Sequence, residues 1–273
     1  MTVTLATETA APETANRPLY MVQLPVDGRR LFTFARDQGL LGADTGYVIH
    51  ALLAALLGPD APRPFALPAD KFGVGLGDPA IMPVLAYGHR PACQLQDIAQ
   101  TIALPAVYQA VRWDDAGVKP MPARFPAGLR LGFEVRACPV VRLGRGNLHR
   151  THGSEVDALV AAYQAAEDGR VPVPESRETV YRSWLAERLA ATDGVVPHQV
   201  EILAMRSVRL FRRGARSDTK TAIGRPSAWL QRPDVRFRGT LEVTNPEAFA
   251  RWLLRGVGRH RAFGFGMVLL RPV

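Results

Sequence analysis

The segment ADTGYVIHALLAALLG carries a phenol and an imidazole at positions that a helix would bring together. Tyr47 and His50 are three residues apart, so a helix places their side chains one turn apart and adjacent. At about 100° per residue, one face of that helix collects Ile49, Leu52, Leu53 and Leu56. Both Tyr47 and His50 point away from this apolar face. They form a candidate general acid/base pair, although a chance pairing of surface side chains gives the same pattern.

A second candidate feature is a strongly basic stretch, residues 206–238, here called the basic arm. Ten basic side chains are set against two acidic ones, so the arm supplies +8 of the chain's net charge of +9. Its centre, RRGARSDTKTAIGRPS, is rich in turn residues, which predicts a long hairpin or loop. Arginine matches phosphate oxygens, and a cationic arm suits the deep groove of duplex RNA. A solvated loop without a partner, or arginine enrichment from a GC-rich genome, are the alternatives.

Together these two features indicate proton-transfer chemistry on RNA. RNA carries its own nucleophile, the 2′-hydroxyl, so strand scission needs proton transfers and stabilisation of charge at phosphorus. His50 would accept the 2′-hydroxyl proton or protonate the leaving 5′-oxygen. Tyr47 would orient His50 or act with it in proton transfer, and an arginine would stabilise the phosphorane. We expect no metal and no other cofactor, because the remaining histidines are scattered along the chain without suitable companions. They are His89, His149, His152, His198 and His260.

The last segment of the chain, RGVGRHRAFGFGMVLLRPV, is rich in glycine. Its residues 256–266, here called the glycine loop, hold four glycines around Arg259, His260 and Arg261. A dinucleotide site requires a strand, then glycines, then a helix, whereas here the predicted order is helix, glycines, strand. A nucleotide-using enzyme is therefore disfavoured, and a phosphate at this loop would be held by side chains and loop amides. A plain turn that lets the backbone pass close to another strand is the alternative.

Length and composition set broad limits on the protein. The 273 residues suffice for one large or two small domains, and the 34 basic residues, nearly all arginine, exceed the 25 acidic ones. Cys93 and Cys138 are too few for a disulfide framework or a zinc site, which predicts a reduced, cytoplasmic protein. Residues 1–17 lack the features of a signal peptide and are predicted to be a disordered tail. The longest apolar run is too short to span a bilayer, so no membrane contact is expected.

Periodicity and turn signals predict a mixed α+β chain. Strands are predicted at PLYMVQLPV, RPFAL, PVLAYG, LRLGFEVRACPVV, HQVEILAMRSVRLF, VRFRGTLEVT and FGMVLL. Helices are predicted at TGYVIHALLAALLG, QLQDIAQTI, SEVDALVAAYQAAED, ETVYRSWLAERLAATDG and NPEAFARWLLRG. Ser154 and Asp157 are the expected capping residues of the third helix. The basic link RLGRGNLHRTHG is the predicted boundary between an N-terminal domain, residues 18–145, and a C-terminal domain, residues 146–273.

Three segments resemble the CRISPR repeat endoribonucleases of the CasE type. GVGRHRAFGFGMVLL resembles that family's C-terminal glycine-rich loop and final strand. LGFEVRACPVVRLGRG resembles its F-x-L-R-A-N-P segment, with Cys138 where asparagine is usual. The spacing of Tyr47 and His50 resembles the family's Tyr-x-x-His pair early in the first helix. In outline, the resemblance extends from Arg17 to Val273.

The resemblance implies two ferredoxin-like, RRM-related domains that bind the repeat hairpin of a CRISPR precursor RNA and cut at its 3′ base without a metal. It implies His50 as the principal catalytic residue, Tyr47 as its companion, a retained product, and other subunits of a CRISPR effector complex as partners. The glycine loop would pack between the domains near the RNA backbone, and the basic arm would enter the hairpin groove. The expected RNA-binding residues are Arg29, Arg30, Arg142, Arg145, Arg209, Arg212, Arg213, Arg216, Lys220, Arg225, Arg259, His260 and Arg261.

One segment, DGRRLFTFARDQGLLGADTG, departs from the family pattern as an insertion before the first helix. It brings Arg29, Arg30 and Arg36 near that helix, so Arg36 is a third candidate catalytic residue. An arginine-based site is thus an alternative to the Tyr47–His50 pair, and the divergence suggests a variant system such as the type IV class. A non-catalytic scaffold subunit that holds an RNA hairpin would need the basic arm and the glycine loop but not His50.

Overall fold

The computed structural model describes residues 17–67, 81–143, 153–212 and 228–273. The first sheet has the strand order β2-β3-β1-β4, with every neighbouring pair antiparallel. Its strands are β1 (Tyr20–Asp27), β2 (Phe65–Ala66), β3 (Ile81–Gly88) and β4 (Gly117–Pro120). The helices α1 (Gly28–Asp37) and α2 (Thr45–Leu57) lie between β1 and β2. The helices α3 (Ala92–Ile102) and α4 (Pro105–Tyr108) lie between β3 and β4.

The second half of the chain repeats this arrangement. Its sheet has the order β10-β5-β9-β8 and is formed by β5 (Arg130–Ala137), β8 (Val195–Arg212), β9 (Ala228–Val243) and β10 (Val268–Arg271). The helices are α5 (Ala158–Glu167), α6 (Arg177–Ala190) and α7 (Pro246–Arg255), and β6 (Val140–Arg142) pairs separately with β7 (Glu155–Asp157). Each sheet thus has the β-α-β-β-α-β connectivity of a ferredoxin-like unit. The predicted α+β fold with two such units is confirmed.

The strand pairing moves the expected domain boundary toward the N-terminus. β5 was predicted to lie in the domain of residues 18–145, but it pairs with β9 and β10 in the second sheet. The chain therefore passes from one sheet to the other between Pro120 and Arg130. Most of the basic link that predicted the boundary, residues 144–152, lies outside the described residues, as do residues 1–16 of the predicted disordered tail.

The local capping signals explain where several helices begin. Asn245 accepts a hydrogen bond from the Ala248 amide at 3.1 Å, and Pro246 is the first residue of α7, as the sequence indicates. The segment that departs from the family pattern after β1 contains the helix α1, whose first amides are capped by the Asp27 carboxylate. The third predicted helix starts late: Glu155–Asp157 form β7, so Asp157 alone caps α5 through the Leu159 amide at 2.8 Å. The predicted cap at Ser154 is therefore wrong.

The two units share apolar packing. One core cluster combines Leu19, Ala66 and Tyr87 of the first half with side chains of the second sheet and of α6 and α7. The Tyr87 hydroxyl donates a hydrogen bond to the Val268 carbonyl at 3.0 Å, and burial raises the pKa of this phenol. A second cluster fills the first unit between its sheet and α1, α2 and α3. Phe211 and Phe263 of the second unit pack against this second cluster, which includes the start of α2.

Candidate functional site

The start of α2 is held against the glycine loop. Asp44 caps the helix by accepting a hydrogen bond from the Gly46 amide at 2.9 Å. A methyl group at Gly46 would collide with the Phe263 carbonyl oxygen, so only glycine allows the loop to approach this closely. Tyr47 and His50 follow within the next turn. The first turn of α2 and the glycine loop therefore build one site from opposite ends of the chain.

Tyr47 lies in an aromatic cluster made by both units. Its ring centroid is 5.3 Å from that of Phe263, 5.7 Å from that of Phe211 on β8, and 6.4 Å from that of His50. Tyr47 is only 8% exposed. The prediction that Tyr47 points away from the core is wrong, because Phe211 and Phe263 of the second unit contact its ring and bury it. The predicted apolar face is confirmed, since Ile49, Leu52, Leu53 and Leu56 are buried.

His50 is half-buried beside this cluster, with its ring centroid 5.4 Å from that of Phe263. Burial lowers the pKa of the imidazole, and the positive charge of Arg63 lowers it further. The ring is therefore mainly neutral at neutral pH and has a lone pair to accept a proton. Arg63 is exposed, so its charge is also available to an incoming anion.

A buried ion network connects the α2 start to the base of the basic arm. Arg136 on β5 forms two hydrogen bonds to Asp234 on β9, at 2.8 and 2.9 Å, and lies 3.6 Å from Asp44. Arg206 on β8 donates a further hydrogen bond to Asp234 at 2.9 Å. Asp234 is fully buried, and burial raises the pKa of Asp44 although the charge of Arg136 opposes the shift. The Arg136 guanidinium also lies 4.2 Å from the centre of the Phe265 ring.

The glycine loop is anchored by hydrogen bonds and by one carboxylate. The Val257 amide donates to the Gly266 carbonyl at 2.8 Å, which closes the loop upon itself. Glu155 on β7 contacts Arg259 at 2.5 Å, His260 at 2.7 Å and Arg232 at 3.0 Å. Burial alone would raise the pKa of Glu155, but the hydrogen bonds and charges of these cations lower it to about 2. Part of the loop's charge is therefore compensated within the protein.

A profile of the family described as CRISPR associated protein matches residues 19–272 of the chain, which include every residue of the site. The chain belongs to the family of CRISPR-associated proteins. The family relation expected from the Tyr-x-x-His spacing and the glycine loop is thereby confirmed. No curated protein sequence matches the chain.

Solved structures share the fold of this CRISPR-associated protein. CRISPR endoribonuclease Cse3 bound to a 19-nucleotide RNA is similar with a TM-score of 0.58 and 20% identity, over 93% of this chain and 100% of that one. Thermus thermophilus Cse3 with an RNA that represents a pre-cleavage complex gives 0.57 and 21%, with the same coverage. A chain of a CRISPR RNA-guided surveillance complex in a pre-nicking state gives 0.52 and 16%, again over 93% and 100%. At these identities the likeness is one of fold.

The remaining predicted site residues of this CRISPR-associated protein are dispersed. Arg29 and Arg30 lie on the exposed first turn of α1, and Arg30 donates to Gln109 at 2.8 Å. Arg36 pairs with its neighbour Asp37 at 3.0 Å on the same helix. Within the described ranges, no hydrogen bond, ion pair or ring contact joins Arg36 to Tyr47 or His50, so the structure does not bring the predicted triad together.

The other predicted RNA-binding side chains fall into three groups. Arg142 ends β6 and lines a cleft of about 480 Å³ with Arg188, Arg255, Arg259 and Arg261. Arg209 and the last residue of β8, Arg212, lie on the basic arm, whose two strands form the predicted hairpin. The predicted RNA-binding residues that lie outside the described ranges are Arg145, Arg213, Arg216, Lys220 and Arg225.

Sequence reasoning missed the residues that surround His50. Phe263 directly precedes Gly264 in RAFGFG, and this apolar residue in a basic loop was the available signal. Phe211 is the last aromatic before the arm's centre. Arg136 and Asp234 carried no signal, because only the pairing of β5 with β9 brings them together. Among the described residues, no group of three or more histidine, cysteine, aspartate or glutamate side chains is close enough to hold a metal ion. No helix in the described ranges has the length and apolarity needed to cross a membrane.

Proposed function

We propose that this CRISPR-associated protein is an endoribonuclease that binds the repeat hairpin of a CRISPR precursor transcript and cleaves it to guide RNA. One observation carries the proposal: the Tyr47–Phe211 contact sets a half-buried, neutral His50 at the base of an arginine-rich hairpin. A proton acceptor thus lies where bound RNA would pass. The fold shared with Cse3 bound to RNA supports the same activity.

In the proposed reaction, His50 accepts the proton of a 2′-hydroxyl, and that oxygen forms a bond to the adjacent phosphorus. The bond from phosphorus to the 5′-oxygen breaks, the 5′-oxygen takes a proton from water, and the resulting hydroxide takes back the proton from His50. The products are a 2′,3′-cyclic phosphate and a 5′-hydroxyl. Tyr47 positions the imidazole through ring contact, and Phe211 and Phe263 hold the Tyr47 ring in turn. Arg63 supplies positive charge to the phosphorane.

Binding is assigned to the basic surfaces. The arm enters the groove of the hairpin, where arginines neutralise phosphates, and Arg29 and Arg30 extend the basic surface along α1. We propose that the product remains bound and that the protein joins other subunits of a CRISPR effector complex. The division of the chain that fits these roles is residues 17–120 for the unit with His50 and residues 130–273 for the unit with the arm. Assignment to a type IV system stays a prediction.

The test is cleavage of a labelled repeat-hairpin RNA in excess EDTA, with His50→Gln beside the wild type. We expect site-specific cleavage by the wild type and a loss of about 10²- to 10⁴-fold in His50→Gln, with RNA affinity unchanged. His198→Gln is the matched control, because His198 is exposed and pairs with Glu242 at 3.1 Å on β9. Equal cleavage by wild type and His50→Gln would move the chemistry to the arginines. RNA binding without cleavage by either would favour the scaffold alternative.

The pH profile gives an independent check on His50. The base must be neutral to accept a proton, and the pKa of His50 is lowered from the ordinary imidazole value of 6.5. As the pH is lowered, the single-turnover rate should therefore begin to decline only after the pH has passed below 6.5. A decline that begins above that value would contradict the proposed base.

A further inference from the structure

An exposed tryptophan stands on the basic arm. Trp113, Trp184 and Trp252 are buried, whereas Trp229 on β9 is 43% exposed. A large aromatic ring is usually buried or placed where it meets a partner. Trp229 is therefore the tryptophan of this chain that is available to a ligand.

The surroundings of Trp229 are cationic. The guanidinium of Arg209 lies 5.1 Å from the centre of its ring, and the arm carries most of the chain's net charge. An aromatic face beside arginines on a basic surface is the arrangement with which proteins bind unpaired bases: the ring stacks on the base and the cations hold the phosphates. An apolar protein partner would have to cover these charges, so charge complementarity favours nucleic acid.

Ring contacts connect Trp229 to the candidate active site. Trp229 pairs with Phe211 across the hairpin, and their centroids are 5.1 Å apart. Phe211 in turn packs on the buried ring of Tyr47, which contacts His50. Because Phe211 is held on its other side by Tyr47, the tryptophan ring has a defined position relative to His50. A base stacked on it would be placed at a set distance from the imidazole.

We propose that Trp229 is a stacking platform for one unpaired base of the RNA near the scissile phosphate. The platform rests on the proposed function, because it deepens the binding mode of that same site. Its role is to fix the nucleotide so that the reacting 2′-hydroxyl meets His50. The guanidinium of Arg209, which lies over the ring, contacts the adjacent phosphate.

The experiment is a double-mutant cycle between protein and RNA. Hairpin RNAs with a single abasic nucleotide, scanned through the unpaired positions on both sides of the cleavage site, are titrated against wild type and Trp229→Ala. We expect Trp229→Ala to weaken binding of the intact RNA by about 5- to 150-fold. At one abasic position the wild type should lose RNA affinity by a similar factor, whereas the affinity of Trp229→Ala should not fall further. Trp229→Phe should retain most of the affinity, which separates stacking from a folding defect.

The matched control is Val196→Ala, which truncates an apolar side chain that is also exposed on β8 but lies at the opposite end of the hairpin. It should leave RNA affinity unchanged. Binding that is equal for wild type and Trp229→Ala, or losses that add at every abasic position, would overturn the platform while leaving the proposed function intact. Absence of binding by the wild type would overturn both. A Trp229→Ala variant that keeps RNA affinity but loses a protein contact would identify the ring as a protein docking point instead.

Discussion

Replacing Arg136 with methionine tests the ion network that ties the candidate site together. Arg136 donates two short hydrogen bonds to Asp234, a carboxylate with no exposed surface. The substitution keeps much of the side-chain volume but leaves that carboxylate with Arg206 and deprives Asp44 of its neighbouring charge. Loss of one partner of a buried ion pair costs up to about 3–5 kcal/mol, because the remaining charge stays buried, and the hydrogen bond from Arg206 at 2.9 Å offsets part of that cost for Asp234. We expect a decrease of this size in the free energy of unfolding.

Urea denaturation followed by circular dichroism measures this change. The matched control is Arg130→Met, which breaks an ion pair of 3.2 Å with Glu242 on the same sheet. The Arg130 side chain is 68% exposed, so its loss should cost about 1 kcal/mol or less. In the double variant Arg136→Met with Asp234→Leu, part of the lost stability should return, because the buried carboxylate is gone. A loss for Arg136→Met no larger than that of Arg130→Met would refute the reasoning.

Two further predictions concern the glycine loop. Gly46→Ala should lower the free energy of unfolding by about 1–3 kcal/mol and reduce cleavage, because the new methyl group meets the Phe263 carbonyl. In the control Gly88→Ala the methyl group has no atom nearer than 4.0 Å, so stability and cleavage should both be unchanged. Equal stability of the two variants would contradict the close approach of the loop to Gly46. Since the pKa of Glu155 is lowered to about 2, its contribution to stability is present above pH 4.5 and is lost as the pH falls toward 2. Glu155→Gln should therefore unfold more readily at neutral pH and show a shallower decline in acid, and parallel acid-denaturation curves would argue against this pairing.

Local signals in the sequence account for most helices and strands. The alternation and β-branched content of the long arm strands, and the caps of α6 and α7, act within a few residues and are visible in one chain. The helix α1 was missed because its sequence, GRRLFTFARD, mixes apolar and charged residues and the resemblance presented its segment as an insertion. The domain boundary was displaced because the partners of β5 lie about a hundred residues further along the chain. Pairing at that separation leaves no periodic trace in either strand.

The candidate site divides in the same way. The chemistry follows from residue type and spacing: His50 one turn after Tyr47, and a dense run of arginines, can be identified without a structure. The environment of these side chains does not follow from the sequence. Phe211 and Phe263 are more than 150 residues from Tyr47 in sequence and contact it only through the packing of the two units. Helical periodicity describes the core of one unit and cannot anticipate a second unit that covers the opposite face. Burial, and with it the lowered pKa of His50, was therefore decided by tertiary structure alone.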